Sequence, residues 1–212
     1  MQIAVLLYDR FTALDAVGPY EVLSRLPGAE VVFTAVQAGP VRTETGFLSL
    51  VAEASTAEVP APDVLVVPGG PGQPAASADP ELLRWLREVD AGTVWTASVC
   101  TGSLLLADAG LLAGRRATSH WLGLDRLPAG GAVPVAERVV TDGRYVTAAG
   151  VSAGIDLGLW LAARLAGERT AQAIQLGIEY DPAPLFDAGS PASAPPELVA
   201  ALRARRAELL GA

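Results

Sequence analysis

Short runs of apolar, β-branched residues alternate along the chain with segments that have the 3.6-residue period of an amphipathic helix. This alternation predicts an α/β architecture, in which a mostly parallel sheet is covered by helices. Strands are predicted over 3–7, 31–36, 64–67 and 93–98, with a hairpin over 137–141 and 145–148 around Asp142-Gly143. Helices are predicted over 14–26, 79–89, 101–109, 152–166, 170–180 and 196–210.

A proline-rich stretch, 181–196, separates the last two predicted helices. Proline cannot donate a hydrogen bond to a sheet, so this stretch is predicted to be an extended arm that covers a neighbouring surface or a second subunit; a linker is the alternative. We therefore expect residues 1–212 to form a single domain, with this arm and a C-terminal helix over 196–210 at its end.

Composition narrows the function classes. The chain has 212 residues, 51% of them hydrophobic, and a formal net charge of −8. This acidic balance argues against a nucleic-acid partner, because such binding depends on neutralising phosphates. A single cysteine and a single histidine exclude an intramolecular disulfide and the usual zinc or iron–sulfur cages. With no leader or membrane-spanning pattern in the sequence, a soluble cytoplasmic protein is expected.

The strongest local signal is Cys100, which lies between a predicted buried strand and a predicted helix within Ser98-Val99-Cys100-Thr101-Gly102. A strand–nucleophile–helix turn with small neighbours is typical of a nucleophile elbow, which exposes its side chain at the carboxyl edge of a sheet. The free N–H groups of a helix start stabilise an anion, so Cys100 is expected to be partly or fully a thiolate near neutral pH. The alternative is a structural cysteine that packs as a small apolar side chain.

Two further segments are predicted to reach the same edge of the sheet. The loop Pro68-Gly69-Gly70 follows the strand 64–67, and the backbone N–H of Gly70 is expected to bind negative charge on an attacked substrate. An ordinary glycine turn is the alternative. Asp15 follows the first strand, and a carboxyl group beside a thiolate would have its pKa raised by the like charge, so that it could deliver a proton. Its alternative role is a helix cap.

His120 is the obvious candidate for a Cys–His pair, because it is the only imidazole in the chain. It lies far from Cys100 in sequence, however, and a polar cap at the start of a short helix explains it equally well. The sequence does not decide between these two roles.

Together these motifs resemble the ThiJ/PfpI superfamily, and within it the isonitrile (isocyanide) hydratases. The resemblance covers nearly the whole chain. It is carried by Leu14-Asp15, Gly18-Pro19, Pro68-Gly69-Gly70, Ser98–Leu104, Ala117–Trp121, Pro134–Val140, Gly150–Asp156 and several positions in 175–191. Superfamily members that resemble proteases carry histidine immediately after the cysteine, so Thr101 argues against peptidase chemistry.

The resemblance implies a flavodoxin-like three-layer sandwich of the class I glutamine amidotransferase type, a homodimer, and hydration of an isonitrile to an N-substituted formamide without metal or organic cofactor. By the same resemblance, Cys100 is the nucleophile, Asp15 its acid/base partner and Thr101 a hydroxyl and backbone neighbour. The N–H of Val151 is expected near the thiolate, and that of Gly70 in the anion site. Ala148-Ala149 departs from the glycines that the hydratases carry, which puts the strain and mobility of that loop in question.

The implied chemistry is reasonable for these side chains. An isonitrile carbon accepts a nucleophile only if it is protonated in step, so a thiolate and a protonated carboxyl are the minimum equipment. Because isonitriles carry no charge, a small neutral substrate in an apolar pocket is expected. Two alternatives stay open: another thiol-dependent enzyme of the same fold, such as a glyoxalase or deglycase, and a ligand- or redox-sensing domain. A DNA-binding sensor is disfavoured, because the tail after Pro196 carries few arginines.

Overall fold

A seven-stranded sheet runs through the centre of the protein in the computed structural model, which describes residues 1–211. Its strands are β1 Gln2–Leu6, β2 Glu30–Ala35, β5 Ala54–Ser55, β6 Val64–Val67, β7 Trp95–Val99, β10 Val139–Asp142 and β11 Tyr145–Ala148. The order across the sheet is β10-β11-β7-β6-β1-β2-β5, and every neighbouring pair is parallel except β10 with β11. Strand β6 is buried throughout and β1 is buried at every position after Gln2, which explains why their sequences are apolar without alternation.

Helices cover both faces of this sheet. They are α1 Ala13–Leu23, α2 Gln73–Ser77, α3 Pro80–Asp90, α4 Gly102–Asp108, α5 Ala153–Ala166, α6 Glu168–Gly177, α7 Pro196–Ala204 and α8 Arg206–Leu210. Helices α1 and α5 pack against each other and against one face, while α2, α3 and α4 associate on the other. Their apolar sides and the sheet form one hydrophobic core, so the predicted α/β flavodoxin-like sandwich is confirmed.

Each predicted strand exists, with boundaries within two residues of those expected, but the sequence did not predict every element. The unpredicted elements are strand β5, helix α2 and two short strand pairs: the antiparallel hairpin of β3 (Gly39–Arg42) and β4 (Ser49–Ala52), and the parallel pair of β8 (Arg116–Ala117) and β9 (Val133–Pro134). The helix predicted over 196–210 is wrong as one element. The chain turns at Arg205, which lets Leu210 become buried and brings Gly211 against the loop at Pro71.

The segment 181–195 contains no helix or strand and is largely exposed, with Leu185 87% and Phe186 74% accessible. Ala212, the last residue of the predicted domain, lies outside the described residues. Within 1–211, no helix is both long and apolar enough to cross a membrane.

The topology decides where chemistry can occur. Strands β1, β6 and β7 are adjacent and parallel, so the loops that follow them leave the sheet at one edge. Strand β11 is parallel to β7 and adds the loop at Gly150-Val151. The carboxyl edge of the sheet therefore gathers Asp15, the loop at Gly69-Gly70, Cys100 and Val151, as the sequence predicted.

Candidate active site

Cys100 lies at a strained turn between β7 and α4. Its φ is +58°, a left-handed conformation that non-glycine residues rarely adopt. The turn closes tightly because Gly102 has no side chain: a Cβ there would lie 2.1 Å from the carbonyl oxygen of Val67. Strand, strained cysteine and helix thus form the predicted elbow, and the Cys100 side chain is 4% exposed.

Hydrogen bonds on both sides of the residue hold this strained backbone. The Cys100 N–H donates to the carbonyl oxygens of Ala149 at 2.9 Å and Ala148 at 3.1 Å. The Cys100 carbonyl oxygen accepts from two hydroxyls, Ser103 Oγ and Ser119 Oγ, each at 3.1 Å. Ser119 therefore acts on the elbow from a distant part of the chain.

Asp15 is a buried carboxyl in the first turn of α1, with no exposed surface. Its Oδ2 accepts from the Gly69 N–H at 2.9 Å. Its Oδ1 is buried and, within residues 1–211, finds no conventional hydrogen-bond partner. The Cys100 thiol lies close enough to Asp15 for each group to influence the other's pKa.

Burial raises the pKa of Asp15 to about 7, and the nearby Glu44 adds to the increase. The direction expected from the sequence is therefore confirmed. The cause differs from the expected one, because desolvation dominates and the neighbouring thiol lowers the pKa of Asp15 instead of raising it.

The expectation of a free thiolate at Cys100 is wrong. Burial raises the pKa of this thiol well above its usual range, and the negative charge of Asp15 raises it further, while the N–H groups of Thr101 and Val151 lower it. These N–H groups do not offset the effect of burial on the pKa of the thiol. Since two negative charges side by side are unfavourable, the Cys100–Asp15 pair holds at least one proton near neutral pH.

The glycine loop differs from its predicted role in one respect. The Gly70 N–H donates to Thr101 Oγ1 at 2.9 Å, so it is not free to bind a substrate anion in this structure. It instead fixes the Thr101 hydroxyl, which is 1% exposed. The N–H groups that face the Cys100 sulfur are those of Thr101 and Val151, which places Val151 where the resemblance expected it.

His120 does not form a Cys–His pair in this structure. Its Nδ1 accepts from the Leu122 N–H at 3.2 Å, which is the local capping role. Burial lowers the pKa of the imidazole, so it is neutral at neutral pH. The ring also packs on Gly150, where a Cβ would lie 2.7 Å from His120 Cδ2, so the imidazole supports the loop that carries Val151.

The two alanines before Gly150 are not strained. Ala148 ends β11, and neither Ala148 nor Ala149 has a positive φ. Their carbonyl oxygens both accept from the Cys100 N–H, a contact that alanine provides as well as glycine does. The departure from the glycine pattern therefore leaves the elbow intact.

A cavity of about 670 Å³ lies next to the segments that support the elbow: Ser119, Gly150 and Val151 border it, whereas Cys100 and Asp15 do not. Trp121 and Leu124 supply apolar walls, and residues 189–191 of the arm lie at the rim. The expected apolar pocket is only partly correct, because His120, Glu137, Arg138 and Arg203 also line this cavity.

The sequence did not predict two polar residues that lie near the site. Tyr8, directly after β1, donates its buried hydroxyl to the Pro68 carbonyl oxygen at 2.8 Å, and the pKa of Tyr8 is raised by burial and by Asp15 and Cys100. Its position after a buried strand was an available signal. Glu44 accepts from Thr12 Oγ1 at 2.7 Å at the start of α1. It follows the unpredicted strand β3, so no sequence pattern connected it with Asp15.

Within residues 1–211, no cluster of three or more histidine, cysteine or acidic side chains is arranged to hold a metal ion.

Comparison with known proteins places this geometry in context. Residues 1–164 match the model of the DJ-1/PfpI family. The isonitrile hydratase of Pseudomonas putida is 45% identical over 210 residues, which span 99% of this chain and 92% of the relative.

Solved structures agree with that match. A ThiJ/PfpI family protein from Pseudomonas syringae superposes with a TM-score of 0.95 at 41% identity, covering 99% of this chain and 87% of that one. A DJ-1 superfamily protein from Salmonella typhimurium gives a TM-score of 0.77 at 27% identity, over 85% of this chain and 98% of that one.

Proposed function

The chain belongs to the DJ-1/PfpI family, and we propose that it is an isonitrile hydratase, an enzyme that adds water to an isonitrile and yields an N-substituted formamide. One structural observation carries this proposal: a buried carboxyl with a pKa of about 7, Asp15, stands beside the Cys100 thiol. An isonitrile carbon must gain a nucleophile and a proton together, and this pair supplies both.

Before attack, the proton of the pair moves from Cys100 to Asp15. The net charge of the site does not change, so this transfer adds no further charge to the buried site. The N–H groups of Thr101 and Val151 stabilise the sulfur anion that results.

In the first chemical step, the Cys100 thiolate attacks the terminal isonitrile carbon while Asp15 protonates the same carbon. A C–S and a C–H bond form, and the product is a covalent thioimidate, R–N=CH–S–Cys100. Asp15 is left as a carboxylate, the base that the second step needs.

In the second step, Asp15 takes a proton from water as the hydroxide adds to the thioimidate carbon, and then passes this proton to the nitrogen. The tetrahedral adduct R–NH–CH(OH)–S–Cys100 collapses, its hydroxyl proton returns to Asp15, and the C–S bond breaks. The formamide R–NH–CHO leaves, and thiolate and carboxylic acid are restored. The whole reaction thus consists of proton transfers, two additions to the same carbon and the final expulsion of the thiolate, and Cys100 and Asp15 carry out all of these steps.

We propose that Thr101 and Gly70 position the site rather than bind the anion. The Gly70 N–H and the Thr101 hydroxyl hold each other, which orients the Thr101 backbone N–H toward the sulfur. The 670 Å³ cavity beside Val151 is the proposed site for the substituent of a small isonitrile.

A homodimer is also part of the proposal. Apolar side chains on the β3–β4 hairpin stand in solvent, with Phe47 97% and Val51 58% exposed, and Phe186 adds a second exposed group in the arm. Association of two copies would bury such groups. Light scattering coupled to size exclusion tests this, and Phe47→Ser should weaken the dimer; a monomeric wild type contradicts it.

A cytoplasmic location is proposed on chemical grounds. The proposed nucleophile is a free cysteine, and a reducing compartment keeps such a thiol available. A reporter fusion that was active only after export would contradict this location.

Purified protein should convert a neutral aryl isonitrile to the formamide, and chromatography of the product measures this conversion. Cys100→Ala should abolish turnover, and intact-protein mass spectrometry of the wild type during turnover should detect an adduct that equals the whole isonitrile. Parallel assays with methylglyoxal test the glyoxalase alternative. Turnover of aldehyde but not of several isonitriles would overturn the proposal.

A further inference from the structure

One cationic side chain that lines the cavity beside the elbow has no anionic partner within residues 1–211. Of the two arginines that line the cavity, Arg138 is bound to Asp156, with Nη2 2.6 Å from the carboxylate. Arg203, on α7, makes no ion pair within residues 1–211, and its guanidinium lies over the Trp121 ring, 5.9 Å from the centroid.

The other charges around the cavity cancel in pairs. Glu137 lies 3.3 Å from Arg116. Arg206, the first residue of α8, pairs with Asp125. His120 contributes no charge, because burial lowers its pKa. The cavity wall therefore carries one net positive charge, although the chain as a whole carries −8.

This charge lies beside a flat apolar surface. The Trp121 indole lines the cavity together with Leu124, and the Arg203 guanidinium lies over the indole ring. A planar guanidinium donates two parallel hydrogen bonds to a carboxylate, and a substituent that packs against Leu124 and the free part of the indole would bring such a group within its reach.

We propose that the preferred substrates are isonitriles whose substituent carries an anionic oxygen group, with Arg203 and Trp121 forming its subsite. The proposal rests on the function proposed above and deepens it: the reacting carbon stays uncharged, while the far end of the substituent is a carboxylate or a similar oxyanion. Cys100 and Asp15 keep their roles, and the product is an N-formyl compound that bears the same anionic group.

The test compares kcat/KM for matched acids and esters: 4-isocyanobenzoate with its methyl ester, and the shorter isocyanoacetate with its ethyl ester. In Arg203→Gln, the acid-to-ester ratio should fall about three- to tenfold below the wild-type ratio for at least one pair, as expected for a partly exposed charged contact. Arg203→Lys should retain part of the ratio, because it keeps the charge but loses the planar fork.

Arg87→Gln serves as the matched control, since it removes an arginine from α3, an element that does not line the cavity. Its acid-to-ester ratio should equal that of the wild type. If Arg203→Gln and the wild type have the same ratio for both pairs, the subsite proposal is wrong.

A binding measurement separates this failure from failure of the proposed function. If the wild type turns over neither ester nor acid, the hydratase proposal fails. Calorimetric titration with 4-formamidobenzoate and its methyl ester then tests the subsite alone, and equal affinity of the wild type for both would overturn it.

Discussion

Replacing Asp15 with asparagine should stabilise the folded protein progressively as the pH rises, although it abolishes turnover. Burial raises the pKa of this carboxyl from 3.8 to about 7. In the unfolded chain the group therefore ionises near 3.8, whereas the folded protein holds the proton up to about pH 7. Between these values the folded state binds more protons than the unfolded state, so wild-type stability falls as the pH rises. Asparagine cannot ionise and avoids this loss.

The magnitude follows from the shift. One pKa unit corresponds to about 1.4 kcal/mol, so the ionisable Asp15 lowers wild-type stability by roughly 4 kcal/mol above pH 7. About 3 kcal/mol of this develops between pH 5 and pH 8. The asparagine amide adds a cost of its own, since Oδ2 has the Gly69 N–H as partner but Oδ1 has no conventional partner within residues 1–211. A buried N–H without an acceptor costs about 1–3 kcal/mol at every pH.

Urea denaturation of the wild type and Asp15→Asn at pH 5 and pH 8 measures this effect. The difference in free energy of unfolding, variant minus wild type, should grow by about 3 kcal/mol between the two pH values. The constant cost of the amide cancels in this comparison. The same growth should occur in a Cys100→Ala background, because burial rather than the thiol is the largest cause of the shift. A difference that stays constant or shrinks with pH refutes the argument.

Three other substitutions test the supports of the elbow. Thr101→Val removes the Oγ1 that accepts from the Gly70 N–H and should lower the free energy of unfolding by about 1–3 kcal/mol in urea denaturation, whereas Thr101→Ser should retain most of it. Ser119→Ala removes one of the two hydroxyls that donate to the Cys100 carbonyl oxygen and should change the rate of Cys100 alkylation by iodoacetamide severalfold. An unaltered rate would show that Ser103 alone suffices to hold the elbow. Gly69→Ala would place a Cβ 2.4 Å from the Thr101 nitrogen and should abolish folding or lower the melting temperature severely. Gly92→Ala is the control and should be tolerated, because no atom lies nearer than 3.8 Å to its Cβ. Equal effects of the two substitutions would contradict the close approach at Gly69.

The sheet and the position of the elbow could be predicted because they depend on local patterns. The run at 64–67 is apolar on both faces, and Asp142-Gly143 marks a hairpin, so β6 and β11 have the boundaries that were expected. Parallel topology then brings Asp15 and Cys100 to one edge without any knowledge of side-chain positions.

What the sequence could not provide were interactions between distant segments. The Ser119 hydroxyl donates to the Cys100 carbonyl oxygen from nineteen residues away in the sequence. Glu44 accepts from Thr12 and lies in the β3–β4 hairpin, where the sequence around the exposed Phe47 lacks the alternation of a strand. The Gly70 N–H was expected to be free, and only the structure places the Thr101 hydroxyl against it. Each case depends on tertiary packing, which local patterns do not encode.

The wrong expectation of a free thiolate clarifies the proposed chemistry. A permanently ionised Cys100 would leave Asp15 under strong repulsion and would make the enzyme reactive toward oxidants between turnovers. Burial instead keeps a shared proton in the pair, since it raises the pKa of both groups. In the proposed mechanism, the thiolate is then generated only by moving that proton to Asp15, the group that would protonate the isonitrile carbon. A substrate that needs both events at one carbon is therefore the one that this pair serves best, and a nucleophile without the adjacent acid would form no stable adduct with it.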